Sequence, residues 1–251
     1  MKRQGLRGLL LPLLLIAAWE YASRQDAAGA YAFVPLAVIG GAFIELLGNG
    51  ELWVNLLASL TRTSTGLLLG ITGGVSLGAL MALSPVANRL IAPLFHALRQ
   101  VPMLGWIPLI ALWLGNGEAS KLLIVSLAAF YPMVLNTFEG LRQVDTRHRE
   151  VGQVLVLGRK QQLRLILLPA ALPSIVTGVL QALAFAWVTA VGSELFLASG
   201  AGLGNLMMNA EAGARMEIIV ICVLCIGLCG YLMTWLSTLL ARRLLRWRPT
   251  R

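Results

Sequence analysis

The chain has 251 residues, 58% apolar and only 12% charged, against roughly 45–50% and 25% in soluble globular proteins. So few charges cannot cover a water-facing surface, and disorder needs the opposite balance, so this is an integral membrane protein. The net charge of +9 comes from 20 basic and 11 acidic residues. The basic residues flank apolar runs instead of forming one stripe, which fits membrane orientation and not nucleic-acid binding.

In chain order, residues 8–22 are apolar and follow Lys2, Arg3 and Arg7. A signal peptide has this outline, but Trp19, Glu20 and Tyr21 stand where cleavage wants small residues, so an uncleaved first helix is expected. Residues 23–55 are mixed and read as a loop and a surface helix. Further spans are expected at residues 66–83, 122–138, 165–191 and 216–240, each near the 20 or so apolar residues that a helix needs to cross. A sixth, residues 90–114, is interrupted by Arg99-Gln100 and by Pro93, Pro102 and Pro108. Residues 192–215 are Gly-rich and partly apolar.

With six spans, 15 of the 20 basic residues fall on one side. They are Lys2, Arg3 and Arg7, Arg89, six between residues 142 and 164, and five in the tail. The positive-inside rule puts both termini in the cytoplasm. The chain divides into residues 1–51 (first helix and extracytoplasmic segment), 52–240 (the membrane domain, with a cytoplasmic loop at 139–165) and 241–251 (a basic tail).

Enzyme chemistry has little to rest on. There is no G-x-x-x-x-G-K-[ST] loop, and the three lysines, Lys2, Lys121 and Lys160, lie in no Gly-rich phosphate cradle. His96 and His148 have no ligand-spaced partners. Cys222, Cys225 and Cys229 share one helical face; a soft-metal site is conceivable, and packing is the plainer expectation. A membrane-embedded enzyme would lack both nucleophile and metal cluster.

Several residues could serve a transport path. Gly66, Gly70, Gly74 and Gly78 recur every four residues, a ladder that lets a second helix approach closely, within the monomer or at a subunit interface. A guanidinium at membrane depth is costly unless it is paired or wetted. Arg99 and Gln100 therefore either line a path in a broken segment or sit at the interface before a short span. Glu194 is either an ion site or a cap for the turn at Gly200, Gly202 and Gly204. Asn136 and Trp187 offer a polar and an aromatic contact to cargo, or serve packing.

The connection after the 122–138 span carries Glu150-Val-Gly-Gln-Val-Leu-Val-Leu-Gly158 and then Ile166-Leu-Leu168-Pro169. It resembles the EAA loop of type I ATP-binding-cassette importer permeases, whose pattern is Glu-Ala-Ala, three residues, Gly, nine residues, Ile-x-Leu-Pro. Glu150, Ile166, Leu168 and Pro169 match. Gly152 stands for the second Ala and Val156 for the Gly, so the turn is expected to shift to Gly158. Further stretches, among them Ser59-Leu-Thr-Arg62, Arg99-Gln-Val-Pro102, Glu118-Ala-Ser-Lys121, Glu194 and Gly202-Leu-Gly204, resemble the sulfonate, taurine and nitrate branch.

The resemblance implies an all-α membrane fold of about six helices, the type I importer permease (MetI-like) fold. It implies no catalysis and no cofactor on this chain, with ATP and Mg on separate ATPase subunits. It also implies a second copy of the chain and an extracytoplasmic binding protein that delivers a small anion across a bacterial inner membrane. Residues 145–158 can form the coupling helix. Asp145 is the expected N-cap, Arg147 and Glu150 are rim contacts, Gly152 and Gly158 are small positions, and Pro169 is expected to start the next helix. A self-contained secondary transporter is the alternative; it would want internal repeats and buried ionisable sites.

Overall fold

The computed structural model describes residues 2–25 and 33–246, and every regular element among them is helical. Asp26 and the tail residues Arg248 and Arg251 lie outside the described residues. Helix α1 is Lys2–Ser23, α2 Leu36–Gly48, α3 Glu51–Leu83 and α4 Pro85–Leu98. A 3-10 turn, Met103–Trp106, leads into α5, Ile107–Leu114, and then come α6, Glu118–Arg142, and α7, Thr146–Val154. Helix α8, Arg159–Gln162, passes through a π-helical turn, Leu163–Leu167, into α9, Leu168–Phe196. Helices α10, Leu203–Ala212, and α11, Met216–Leu244, complete the chain.

Helix α3 starts fifteen residues before the span expected from hydropathy. The polar run from Thr61 to Thr65 masks it in sequence. In the helix, the Thr61, Thr63 and Thr65 hydroxyls each donate to the carbonyl four residues back, at 2.8 Å. Arg62 turns inward to carboxylates. The three threonines are thus satisfied within the helix, and Arg62 by its neighbours.

The glycine ladder sets the centre of the molecule. A Cβ at Gly66 would lie 2.5 Å from Val125 Cγ1, at Gly70 2.7 Å from the Ser126 carbonyl oxygen, and at Gly78 2.6 Å from the Val134 carbonyl oxygen. The ladder therefore packs within the chain, backbone against backbone. The matched steps Gly66–Val125, Gly70–Ala129, Gly74–Met133 and Gly78–Thr137 show that α3 and α6 run parallel. Helix α9 runs antiparallel to α6, with Gly140 against Ser174 and Gly178 against Asn136.

Two parallel neighbours need a connection that returns across the molecule. Helices α4 and α5 provide it, bent by 90° at residues 99–102. Pro102 disfavours helical backbone at Val101 and ends the first leg. The segment read as one span is thus a broken one. Four helical stretches are long and apolar enough to cross a membrane (α3, α6, α8 through α9, and α11), and the bent pair makes a fifth. Helix α1 is the sixth element, with an apolar part, Leu10–Ser23, shorter than a full span. Trp19 Nε1 donates to the Val34 carbonyl at 2.9 Å, and Glu20 accepts from Leu36 N at 3.1 Å, fixing α1 to the start of α2.

Helix α9 does not begin at Pro169. The helix is already running from Arg159, and proline's missing N–H and ring are accommodated by the π turn just before it, where Leu168 N donates to the Leu163 carbonyl. Cys222 is buried, and Cys225 and Cys229 pack beside it against Leu46, Leu203 and Trp187. No group of His, Cys, Asp or Glu among the described residues is arranged to hold a metal ion. Leu57, Leu68, Leu90, Leu94, Val188, Leu224 and Leu236 are exposed on the outer faces, an apolar surface suited to hydrocarbon.

Candidate functional site

Two polar assemblies stand at opposite ends of the α3–α6–α9 core. At one end is the connection from α6 to α9. Asp145 Oδ1 accepts from Arg147 N at 3.0 Å, capping the first turn of α7. Asp145, Arg147 and Glu150 are exposed. Gly152 is buried, and a Cβ there would meet Ile166 Cδ1 at 2.8 Å. The small residue lets α7 seat on the π turn below it. The apolar residues Val151, Val154, Leu155 and Val156 are 54%, 81%, 62% and 88% exposed. An apolar tip rimmed by charges is thus held on a short helix between two spans.

The turn after α7 lies at Val156, not at Gly158. Val156 has φ +51°, and Leu157 N donates to the Gly152 carbonyl at 3.0 Å. This is the six-residue closing bond of a Schellman turn with valine in the left-handed position. Gly158 instead precedes α8 with φ −63°, and its N–H donates to Gln161 Oε1 at 3.0 Å. A β-branched residue pays about 1–2 kcal/mol in that conformation. Val156→Gly is expected to stabilise the turn by about 1 kcal/mol. Amide hydrogen exchange across residues 146–158 checks this: protection should rise in the variant.

At the other end, Arg62 of α3 joins two carboxylates. Its Nε and Nη2 donate to Glu118 Oε1 and Oε2, both at 2.7 Å, and its Nη1 pairs with Glu194 Oε1. Nη2 also donates to the Ala201 carbonyl at 3.0 Å. Glu194 is fully buried and accepts from the Ser59 hydroxyl at 2.8 Å and from Gly204 N at 2.8 Å. The Ser59 hydroxyl accepts from Leu203 N at 2.9 Å, and Asn55 Oδ1 accepts from Gly202 N at 2.8 Å. Lys121 is fully buried too, and its Nζ donates to the Ser199 carbonyl. Two cations and two carboxylates thus tie the 197–204 turn to α3, α6 and α9. A Cβ at Gly202 would fall 2.7 Å from both Glu194 carboxylate oxygens, and one at Gly204 2.7 Å from the Val191 carbonyl. Those glycines are needed for the carboxylate to reach the turn.

Glu194 therefore binds the Gly-rich turn that follows it, the capping role weighed from the sequence. Asn55, Ser59, Arg62, Glu118 and Lys121 had been given no role by sequence reasoning. The available signal was Arg62, the one basic residue in a long apolar helix, which demands a buried partner.

The remaining residues singled out as path contacts are dispersed. Arg99 and Gln100 are exposed at the bend between α4 and α5. Asn136 donates to Gln181 Oε1 at 2.9 Å and to the Pro132 carbonyl at 2.8 Å. Trp187 is buried in the core, its Nε1 donating to the Ile226 carbonyl at 3.2 Å. None of these four shares a hydrogen bond with Glu194.

Comparison with known proteins sharpens this picture. A family described as "Binding-protein-dependent transport system inner membrane component" matches residues 70–246. The putative aliphatic sulfonates transport permease protein SsuC of Bacillus subtilis is 36% identical over 248 residues, covering 98% of this chain and 90% of that protein. The taurine transport system permease protein TauC of Escherichia coli is 33% identical over 199 residues, covering 79% and 72%. A solved inward-facing structure of the MetNI methionine ABC transporter superimposes with TM-score 0.64 at 18% identity, covering 80% of this chain and 97% of that one. At that identity it speaks for the fold alone. The helices, the broken span and the loop between α6 and α9 thus have a family: the chain is an inner-membrane component of a binding-protein-dependent transport system.

Proposed function

We propose that this chain is the permease subunit of an ATP-driven importer for a small organic or inorganic anion. The family gives the transport role. Relatives named for aliphatic sulfonates, taurine, nitrate and bicarbonate support the cargo class. Two copies form the pathway, two ATPase subunits carry ATP and Mg, and a binding protein delivers solute at the extracytoplasmic side. Both termini and the 139–165 loop face the cytoplasm, as the clustering of basic residues supports.

One observation carries the coupling role: the exposed apolar tip, Val151, Val154, Leu155 and Val156, at the end of a helix seated directly on the foot of α9. Asp145 and Gly152 shape that helix, Arg147 and Glu150 rim it, and Gly158 and Pro169 join it to the span. A partner that moves the tip moves α8 and α9 with it, because the helix is continuous from Arg159 to Phe196. ATP shifts the pore through its different affinity for the two states. Arg99 and Gln100 at the bend supply a path contact that favours anions, with Asn136 a secondary candidate.

The test is uptake into vesicles reconstituted with permease, ATPase and binding protein. Taurine or an alkanesulfonate should accumulate only with internal ATP, and Arg99→Gln should lower the rate several-fold while assembly stays intact. Uptake by the permease alone on an ion gradient would favour a secondary transporter instead. An unchanged rate in Arg99→Gln would remove that residue from the path.

A further inference from the structure

At the coupling-loop end, where α3 turns into α4, a cavity of about 720 Å³ opens against the start of α8. Leu83, Ser84 and Pro85 form one wall, and Arg159, Lys160 and Leu163 face them. Arg159 and Lys160 are exposed, and neither has an ion-pair partner among the described residues. A guanidinium and an ammonium lining one hollow set up a positive potential that no ion pair among the described residues neutralises. The start of α4 adds the positive end of a helix dipole; its N-cap Ser84 Oγ accepts from Ala87 N at 3.2 Å.

The surroundings select the kind of anion. Val86, Leu90 and Leu94 follow one another at one-turn spacing along α4 and are 67%, 75% and 62% exposed, and Leu83, which lines the cavity, is 48% exposed. A stripe of this kind suits acyl chains and not water. The cavity therefore sits where an apolar outer face gives way to a basic one, which is the depth of lipid headgroups. Its size exceeds a bare phosphate and accommodates a phosphoglycerol group.

We propose that this cavity binds the phosphodiester headgroup of an anionic phospholipid. Arg159 offers its planar fork to two phosphate oxygens and Lys160 a point charge. The acyl chains lie along Leu83, Val86 and Leu90. A lipid held there bridges the α3–α4 corner to the first turn after the coupling loop. It steadies the joint through which motion of the loop reaches α9.

The test uses the full chain, delipidated in detergent. Phosphatidylglycerol, phosphatidylcholine or inorganic phosphate is added, and binding is read by native mass spectrometry and thermal unfolding. Phosphatidylglycerol should bind and raise Tm, while phosphatidylcholine and millimolar phosphate should not. Arg159→Gln/Lys160→Gln should weaken that binding by roughly tenfold or more, from about 1 kcal/mol per basic residue at a charged membrane surface. Both side chains are exposed, so the variant should fold, and Arg242→Gln/Arg243→Gln, at the end of α11 and outside the cavity lining, should bind lipid as the parent does. Equal binding by the Arg159/Lys160 variant and the parent would overturn the proposal. So would an equal shift from inorganic phosphate, which would reassign the site to a soluble anion. Loss of ATPase association with unchanged lipid binding would assign the two cations to the protein partner.

Discussion

Arg62→Leu is expected to lose about 3–5 kcal/mol of stability, the usual consequence of removing one partner from a buried pair. The side chain of Arg62 is 2% exposed and that of Glu194 is 0%. Without the guanidinium, Glu194 keeps only the Ser59 hydroxyl and Gly204 N, and the Ala201 carbonyl loses its donor. The 197–204 turn should then detach from α3. Replacing both charges, Arg62→Met with Glu194→Leu, should cost less than the two single losses added together, since neither member of the pair is then left without the other. Detergent-phase thermal unfolding of the two single variants and the double variant measures this. A double variant as unstable as the two singles added together would show that the residues act independently.

Gly70→Val is the second large effect. Its Cβ would lie 2.7 Å from the Ser126 carbonyl oxygen and 2.9 Å from Phe130 N. Both atoms are backbone, so no rotamer change relieves the clash, and α3 and α6 must separate. Overpacking of this kind costs about 1–3 kcal/mol, more where the backbone cannot yield. Gly73 lies three residues on, yet a Cβ there meets only the Phe130 ring, at 3.4 Å. Gly73→Ala should be neutral or stabilising by up to about 1 kcal/mol, from helix propensity. The contrast separates a packing role from a general need for glycine. Yield of monodisperse protein and Tm should fall for Gly70→Val and hold for Gly73→Ala.

Much of this was legible in the sequence because hydrocarbon imposes simple rules. Apolar length located α6, α9 and α11, and the i, i+4 glycines announced a close helix contact. Helix α3 was cut short because hydropathy averages over Arg62 and the threonines, which the helix satisfies internally. The bend at Pro102 was visible as an interruption. Its crossing of the molecule was not, because that follows from α3 and α6 being parallel, a long-range fact. The same limit hid the charge cluster: Arg62, Glu118, Lys121 and Glu194 are separated by up to 132 residues, and no local motif joins them. The loop was legible through its offsets, which put the pattern's turn position at Val156; valine's reluctance there moved the expected turn to Gly158, where glycine permits it. The backbone turns at Val156 and bears the strain.

Coupling through the loop is tested most directly by co-purification. The tagged full-length chain is expressed with its ATPase partner, beside Glu150→Ala and Leu155→Asp variants. Leu155 is 62% exposed, so the aspartate should leave the fold intact while placing a charge in the covered face. If the tip of α7 is the docking surface, the parent chain retains the ATPase, Glu150→Ala retains less, and Leu155→Asp loses it. Retention of the ATPase by both variants, or a folded parent chain that purifies alone in several detergents, would contradict it.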